Sequence, residues 1–447
     1  MKRSVVGGAL VVTCLFASGT VAFAQTPGSD RPYRALFGRG SSGADGQSLD
    51  LSTTVVQAYD DNLLAEVGSV TPGAATLSGY YTMLQSAGAF AWATQRVQLG
   101  ITGASAFRYY GQVGEFQSVS HSAGIGLSTT LPKRTGLAVN QSAAYSPSYL
   151  SGLFPSLNEA RLGDALPSSP NYDVNEVESY SYATTVALTH GLTRRGSIRA
   201  VADYGVTDFR DQSTARADGS SYGATVAFSR DLGRHSGVSL DYRFRTGDFG
   251  LAGESKSTEH GVNFGFRHTR VLSATRTAQF EFGLGGSGSS VPPQLILAAQ
   301  PVSAPIPERL YRVTGNGAFA YQFSRTGEVR ASYRRAIEYI VQLGQPVLID
   351  GLSASLAGSP TRRLQLTMGA GYSSGASALQ TTAKFDTYTA NVRSQVSLTS
   401  MLAVYAEYLY YFYDFGADPL LAPNLPRRLE RNGVRVGLTL STPLLRR

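Results

Sequence analysis

The chain has 447 residues, a formal net charge of +8 at pH 7 and a single cysteine, so a disulfide framework is excluded. It contains 49 glycines, 25 tyrosines and 20 phenylalanines but only one tryptophan and four methionines. Glycine inside a helix costs about 1 kcal/mol, and no apolar run after residue 24 approaches the roughly 20 residues that a membrane helix needs. The composition therefore favours an all-β protein.

The first predicted element is a secretory signal peptide over residues 1–24. Lys2 and Arg3 precede an apolar run, and Ala22-Phe23-Ala24 is a small-x-small cleavage site. A transmembrane anchor is the disfavoured alternative because the run is short and broken by Gly and Ser. Cys14 lies inside the run without the small residue that precedes a lipoprotein cleavage site. We therefore expect Sec-dependent export without a lipid anchor, and nucleic acid is not an expected partner.

Residues 25–46 are predicted to be a periplasmic N-terminal segment, and residues 47–447 to be a β-barrel. In "RHSGVSLDYRFRTGDFG" (234–250), Leu240 and Tyr242 face one side of a strand while Asp241 and Arg243 face the other. The same alternation recurs at 96–110, 260–269, 278–285, 310–324, 388–398 and 432–440. A period of two held along most of the chain is typical of transmembrane β-barrels.

The connections between these segments alternate in length. Short turns that carry arginine occur at 131–136, 192–197, 232–237, 273–277, 324–328 and 359–364. Longer Gly/Pro/Asp-rich connections lie between them, at 61–73, 149–177, 210–218, 247–256, 286–307, 341–346, 373–383 and 414–427. This alternation matches short periplasmic turns and longer extracellular loops. It predicts about 18 strands, starting near residues 48, 77, 96, 116, 135, 178, 196, 220, 236, 257, 276, 308, 327, 347, 362, 384, 401 and 428.

The predicted fold class is an all-β, transmembrane, antiparallel up-and-down β-barrel in the outer membrane of a Gram-negative bacterium. Strands cross hydrocarbon only as a closed sheet, because every backbone polar group must be paired within the protein. A soluble sandwich is the alternative, disfavoured by the long series of hairpins. Tyr408, Tyr410 and Phe412 predict part of an aromatic girdle at the membrane interface. Outer-membrane lipid and lipopolysaccharide are the expected surroundings.

A barrel of this size predicts an aqueous channel, whereas about eight strands would leave room only for side chains. The polar face of the strands supplies the candidate lumen residues, in which arginine exceeds acid: Arg199, Asp203, Asp241, Arg243, Arg245, Asn263, Arg267, Glu281, Arg312, Asn316, Arg330, Arg334, Glu338, Asn391, Arg393, Gln395, Arg431 and Arg435. One interpretation is a mildly cationic path for hydroxyl-rich or anionic solutes. The other is that the arginines pair with lumen acids and stiffen the wall.

Catalysis, cofactors and bound metals are not predicted. The five histidines show no metal-binding spacing. Ser221 and Ser373 match the letters GxSxG, but no helical pattern follows either of them to form a nucleophile elbow. The cluster "YDDN" (59–62) is explained equally by a divalent ion at the rim and by an Asp/Asn turn.

The sequence Tyr59-Asp60-Asp61-Asn62-Leu63 at the end of the first strand, together with the signal peptide and the many hairpins, resembles the outer-membrane β-barrel porins associated with exopolysaccharide secretion. The resemblance implies a conduit for a hydrophilic glycan polymer that cooperates with a periplasmic polysaccharide export protein. The ending "STPLLRR" departs from the terminal aromatic residue of many outer-membrane proteins. A passive diffusion porin for small hydrophilic or anionic solutes is the alternative. Segment 149–177 is a candidate plug.

Overall fold

The computed structural model describes residues 46–62, 78–111, 116–146, 179–209, 219–248, 256–290, 309–340, 345–377, 384–414 and 428–446. The strands are β1 (Gly46–Asp60), β2 (Gly79–Ala93), β3 (Val97–Tyr110), β4 (Phe116–Leu131), β5 (Thr135–Ser146), β6 (Ser179–Gly191), β7 (Gly196–Phe209), β8 (Gly219–Asp231), β9 (Ser236–Asp248), β10 (Lys256–Ser273), β11 (Arg276–Ser290), β12 (Arg309–Gln322), β13 (Gly327–Ile340), β14 (Gln345–Gly358), β15 (Leu364–Ser377), β16 (Lys384–Ser397), β17 (Leu402–Asp414) and β18 (Arg428–Arg446). Within these ranges no helix could span a bilayer.

The strands form one closed antiparallel barrel. Each strand pairs with the next in sequence, and β1 pairs with both β2 and β18, which completes an 18-stranded ring. The predicted fold class and strand number are confirmed. The predicted starts agree with the observed strands to within two residues; the two-residue differences occur at β1 (Gly46 rather than 48), β2 (Gly79 rather than 77), β14 (Gln345 rather than 347) and β15 (Leu364 rather than 362).

The two faces of the sheet differ as the alternation predicts. Leu240 and Phe264 are each 53% exposed on the outer face, beside other large apolar side chains. Asp241 and Asn263, their neighbours in sequence, lie on the face that lines the lumen, where Asn263 Nδ2 donates to Asp241 Oδ1 at 3.4 Å. A closed sheet with an apolar exterior satisfies its backbone internally and can cross hydrocarbon. The chain is therefore an outer-membrane barrel.

The two ends of the barrel differ in the length of their connections. At one end the strands are joined by tight turns, closed by bonds such as Thr94 N to Val97 O at 2.7 Å and Leu232 N to Ser236 O at 2.9 Å. At the other end the connections are longer, and the candidate plug 149–177 lies outside the described residues, as do residues 1–45. We name these the short-turn end and the long-loop end. Outer-membrane barrels place their short turns in the periplasm.

The seam between β1 and β18 is fastened by charged side chains. Arg431 Nε donates to Asp60 Oδ2 at 2.8 Å, and both side chains are almost completely buried. The next acid, Asp61, accepts from the backbone N and the side-chain Nδ2 of Asn432, at 2.7 Å each. The acids of "YDDN" thus join the first strand to the last.

Candidate functional site: the barrel lumen

The lumen has two walls of different character. The lumen faces of β7 to β13 form the first, which we call the open wall, because most of its polar side chains are only partly buried. The lumen faces of β16 to β18 and of β1 to β3 form the second, which we call the packed wall. Many of its side chains are almost completely buried. A solute in the lumen therefore meets the open wall.

Twelve of the residues singled out from the sequence lie on the open wall and are partly buried or exposed: Arg199, Asp203, Asp241, Arg243, Arg245, Asn263, Arg267, Glu281, Arg312, Asn316, Arg330 and Arg334. Glu338 belongs to β13, but its side chain lies outside the described part of the chain. Polar groups from β7 and from β9 to β13 are thus brought onto one surface. That these residues line a conducting channel remains a prediction.

Glycines on the open wall make room for side chains of neighbouring strands. A Cβ at Gly223 would lie 2.7 Å from Asp203 Oδ1, and one at Gly237 would lie 2.8 Å from Arg267 Nε. Gly283 is covered in the same way by Asn263 and Asn316. Since real Cβ atoms do not approach so closely, only glycine permits these side chains to lie flat. They extend along the wall instead of across the lumen.

Several open-wall arginines pair with acids. Arg243 NH2 lies 2.9 Å from Glu259 Oε1, Arg330 Nε lies 2.6 Å from Glu328 Oε1, and Arg267 pairs with Asp231. Pairing with lumen acids is therefore observed for these three arginines, and stiffening of the wall stays a prediction. Sequence reasoning did not select Glu259, Glu328 or Asp231, although each has the lumen-facing parity of its strand, which was the available signal.

The described lumen-facing charges of the open wall are nearly balanced, since seven arginines face the six acids Asp203, Asp231, Asp241, Glu259, Glu281 and Glu328. Arg245 lies directly opposite Glu259 in the β9–β10 register, and Arg243 already bonds to that carboxylate. In the described part of the chain, Arg243 and not Arg245 forms the ion pair with Glu259. Farther around the wall, Arg312 NH1 donates to the neutral backbone oxygen of Tyr311 at 3.2 Å. Arginines at these positions place guanidinium N–H donors on the open wall.

On the packed wall, three charged residues stand side by side. Arg393, Glu407 and Arg435 face one another across β16, β17 and β18. The Arg393 guanidinium carbon lies 4.3 Å from the centre of the Tyr405 ring, and Arg435 Nε donates to Tyr81 Oη at 3.0 Å. Aromatic groups thus hold both cations, as cation–π and charge-assisted contacts do elsewhere.

The remaining predicted lumen residues also lie on the packed wall. Arg393, Gln395, Arg431 and Arg435 are nearly fully buried, and Asn391 is partly buried. Beside them is an apolar cluster that sequence reasoning did not select, formed by Val56, Ala58, Tyr81, Met83, Ala106, Tyr110 and Tyr405. The sequence predicted one polar lining, whereas the lumen-facing residues divide into an accessible surface and a buried one.

The described residues contain no group of three metal-ligating side chains. Ser221 lies within β8 and Ser373 within β15, so neither occupies a strand-to-helix elbow. The acids Asp60 and Asp61 bond to β18. The Asp/Asn-turn explanation of that cluster also has support, since Asn62 N donates to Asp60 Oδ1 at 2.9 Å.

No protein-family model and no curated protein matches the sequence. Among solved structures, OpdQ of Pseudomonas aeruginosa is 10% identical over 90% of this chain and 98% of that chain, with a TM-score of 0.44. A BenF-like porin from Pseudomonas fluorescens Pf-5 is 10% identical over 89% and 99%, with a TM-score of 0.46. The ferric-catecholate import receptor Fiu from E. coli K12 is 8% identical over 89% and 81%, at 0.41. Similarities this low do not identify a solute.

Proposed function

We propose that the protein is a passive outer-membrane channel for small hydrophilic solutes, with a preference for anions. The observation that carries the proposal is the open wall, a continuous polar surface on which Asp203, Arg267 and Asn316 lie over glycines. Barrels of 16 to 18 strands have room for an aqueous channel. The proposal includes a domain organisation: removal of residues 1–24 as a signal peptide, a periplasmic segment at 25–46 and the barrel at 47–447.

The anion preference is proposed from the position of the arginines. Arg243 and Arg245 lie on the lumen face of β9, and Arg330 and Arg334 lie on the lumen face of β13. Guanidinium groups attract carboxylates and phosphates through several N–H donors. Several weak sites in series let a solute enter without being trapped.

Polymer export is the weaker candidate. Its support was the resemblance carried by Tyr59-Asp60-Asp61-Asn62-Leu63, and the two acids in that motif bond to Arg431 and Asn432. These contacts fasten the barrel seam and imply no polymer. A periplasmic export protein is accordingly not part of the proposal, and the small-solute channel stands as the principal function.

Planar bilayers of neutral lipid test the proposal through the reversal potential under a KCl gradient. The wild type should conduct and favour chloride. The variant R243Q/R245Q/R330Q/R334Q should move the reversal potential toward zero while it keeps a similar conductance, because charge is removed without added volume. The matched control R230Q/R270Q/R309Q/R428Q removes four exposed arginines with outward parity and should retain chloride selectivity.

Cation selectivity in the wild type, or equal selectivity in the two quadruple variants, would contradict the anion preference. Absence of conductance from a correctly folded barrel would contradict the channel itself. Surface glycan lost on gene deletion, with small-solute influx unchanged, would restore the export interpretation.

A further inference from the structure

The short-turn end carries a concentrated band of positive charge. Three turns each expose two adjacent cations, Lys133–Arg134, Arg194–Arg195 and Arg362–Arg363. Arg96, Arg234 and Arg325 add one exposed cation to each of three further turns. We call these residues the basic collar. In the described part of the chain, no ion pair joins a collar residue to an acid.

An apolar ring lies immediately next to the basic collar. Leu131, Leu192, Leu232 and Phe323 are exposed and continue the outward parity of their strands. In each case a collar cation follows exactly two positions later in the chain, as in Leu192-Thr193-Arg194. At about 3.3 Å per residue, the cation begins within about 7 Å of the apolar side chain. Four separate turns therefore repeat one amphipathic spacing.

The two-residue spacing indicates the depth in the membrane of the apolar ring and of the basic collar. Exposed leucine and phenylalanine on the outer face are stable where acyl chains cover them, and arginine stems extend from that boundary toward the polar headgroups. The collar cations therefore reach the layer that contains lipid phosphates. A purely soluble partner would not require the apolar ring at a fixed distance.

The turn at Lys133–Arg134 gives an independent indication that charge is needed there. The two residues have φ angles of 60° and 61°, in the left-handed region. Side chains other than those of Asn and Asp are strained at positive φ, and glycine is favoured there. Two long cations thus occupy positions where the backbone favours Gly, Asn or Asp.

The described residues at the opposite end of the strands have a mixed charge pattern. Arg335 NH1 lies 3.1 Å from Asp350 Oδ2, and Arg428 NH2 lies 3.9 Å from Glu430 Oε2, all on the outer face near the long loops. Lys256 and Arg309 are exposed at the same end and form no ion pair within the described residues. The basic collar differs from this end because none of its cations pairs with an acid in the described part of the chain.

We propose that the basic collar binds the phosphate groups of anionic phospholipids in the periplasmic leaflet of the outer membrane. Guanidinium forks donate pairs of hydrogen bonds to phosphate oxygens, and the apolar ring contacts the first carbons of the acyl chains. The site lies outside the lumen, so it goes beyond the proposed channel activity and does not depend on it.

The test uses the folded full-length barrel in vesicles of phosphatidylcholine alone or of phosphatidylcholine with phosphatidylglycerol. Native mass spectrometry measures phosphatidylglycerol retained after extraction. The collar variant K133Q/R194Q/R234Q is compared with K256Q/R309Q/R428Q, which removes three exposed cations at the long-loop ends of strands. Each cation near an anionic surface contributes about fivefold, so the collar variant should bind phosphatidylglycerol about two orders of magnitude more weakly. The control should bind like the wild type.

Wild-type retention should also fall as salt rises, a measurement that needs no variant. Equal retention by the collar variant and the control would overturn the proposal. So would wild-type binding of soluble polyglutamate together with indifference to phosphatidylglycerol, since that result would identify an acidic soluble partner. Selective binding of lipid A phosphates would place the collar in the outer leaflet and overturn it too. Conductance measured in bilayers of phosphatidylcholine alone tests the proposed channel activity independently of the binding of anionic lipid.

Discussion

The packed wall and the open wall consist of different strands that share one alternating pattern, and both carry arginine in different roles. On the packed wall Arg431 is fully buried against Asp60 and joins the last strand of the barrel to the first. On the open wall Arg330 is 41% exposed beside Glu328. An arginine on the lumen face fastens the structure where it is buried and faces solutes where water reaches it.

Removing the buried arginine should have the largest effect. Arg431→Ala leaves Asp60 as an uncompensated buried charge, which costs about 3–5 kcal/mol of folding free energy. Arg330→Ala breaks a solvated pair and should cost no more than about 1 kcal/mol. Urea unfolding of the barrel in detergent micelles measures both. Equal losses would mean that the two walls do not differ in this respect.

The next largest effect on stability is expected when a single charge is placed on the lipid face of β10, compared with the same charge on its lumen face. Phe264→Arg puts a cation on the lipid face and should cost about 2–4 kcal/mol, whereas Asn263→Arg puts it into the lumen at much lower cost. Heat-modifiability on gels and yield in the membrane fraction report assembly. Comparable assembly of the two variants would contradict the assignment of the faces.

A methyl group added beneath a side chain should have the smallest effect and should again separate the walls. The Tyr405 ring lies directly over Gly437 on the packed wall, and buried neighbours confine it, so Gly437→Ala should cost about 1–3 kcal/mol. Gly223→Ala meets only the free end of Asp203, which can turn into the lumen.

The Gly223 variant should therefore lose little stability but have a lower single-channel conductance. The Gly437 variant should lose stability but keep the wild-type conductance. Thermal unfolding together with bilayer recordings distinguishes the two outcomes. A destabilised Gly223 variant with unchanged conductance would show that Asp203 is confined as tightly as Tyr405.

The strand pattern could be predicted from the sequence because a barrel applies one local rule to every strand. Parity alone separates Asn263 from Phe264, and tight turns mark most strand starts. The division of the lumen could not be predicted in this way. It depends on contacts such as that of Arg431 with Asp60, which are 371 positions apart in the chain. The alternation of polar and apolar residues within one strand does not predict such contacts.

Register explains the other omissions. Gly223 and Asp203 are directly opposite in the β7–β8 pairing, but only the exact alignment of two strands shows that the glycine receives the carboxylate. Met83 and Val56 have lumen-facing parity in the sequence, yet their burial arises from packing around the seam. The face of the sheet on which a side chain lies can be predicted from one strand. Its burial and its contacts can be known only when the complete barrel is assembled.

The pairing of β1 with β18 also governs the order of folding. Val55 must find Leu438, and Tyr59 must find Val434, after every intervening strand has been made. Such distant pairings are slow to form, and until they do, both end strands present unpaired hydrogen-bonding edges that aggregate readily. The barrel therefore cannot close until β18, the last strand, has been synthesised and has paired with β1.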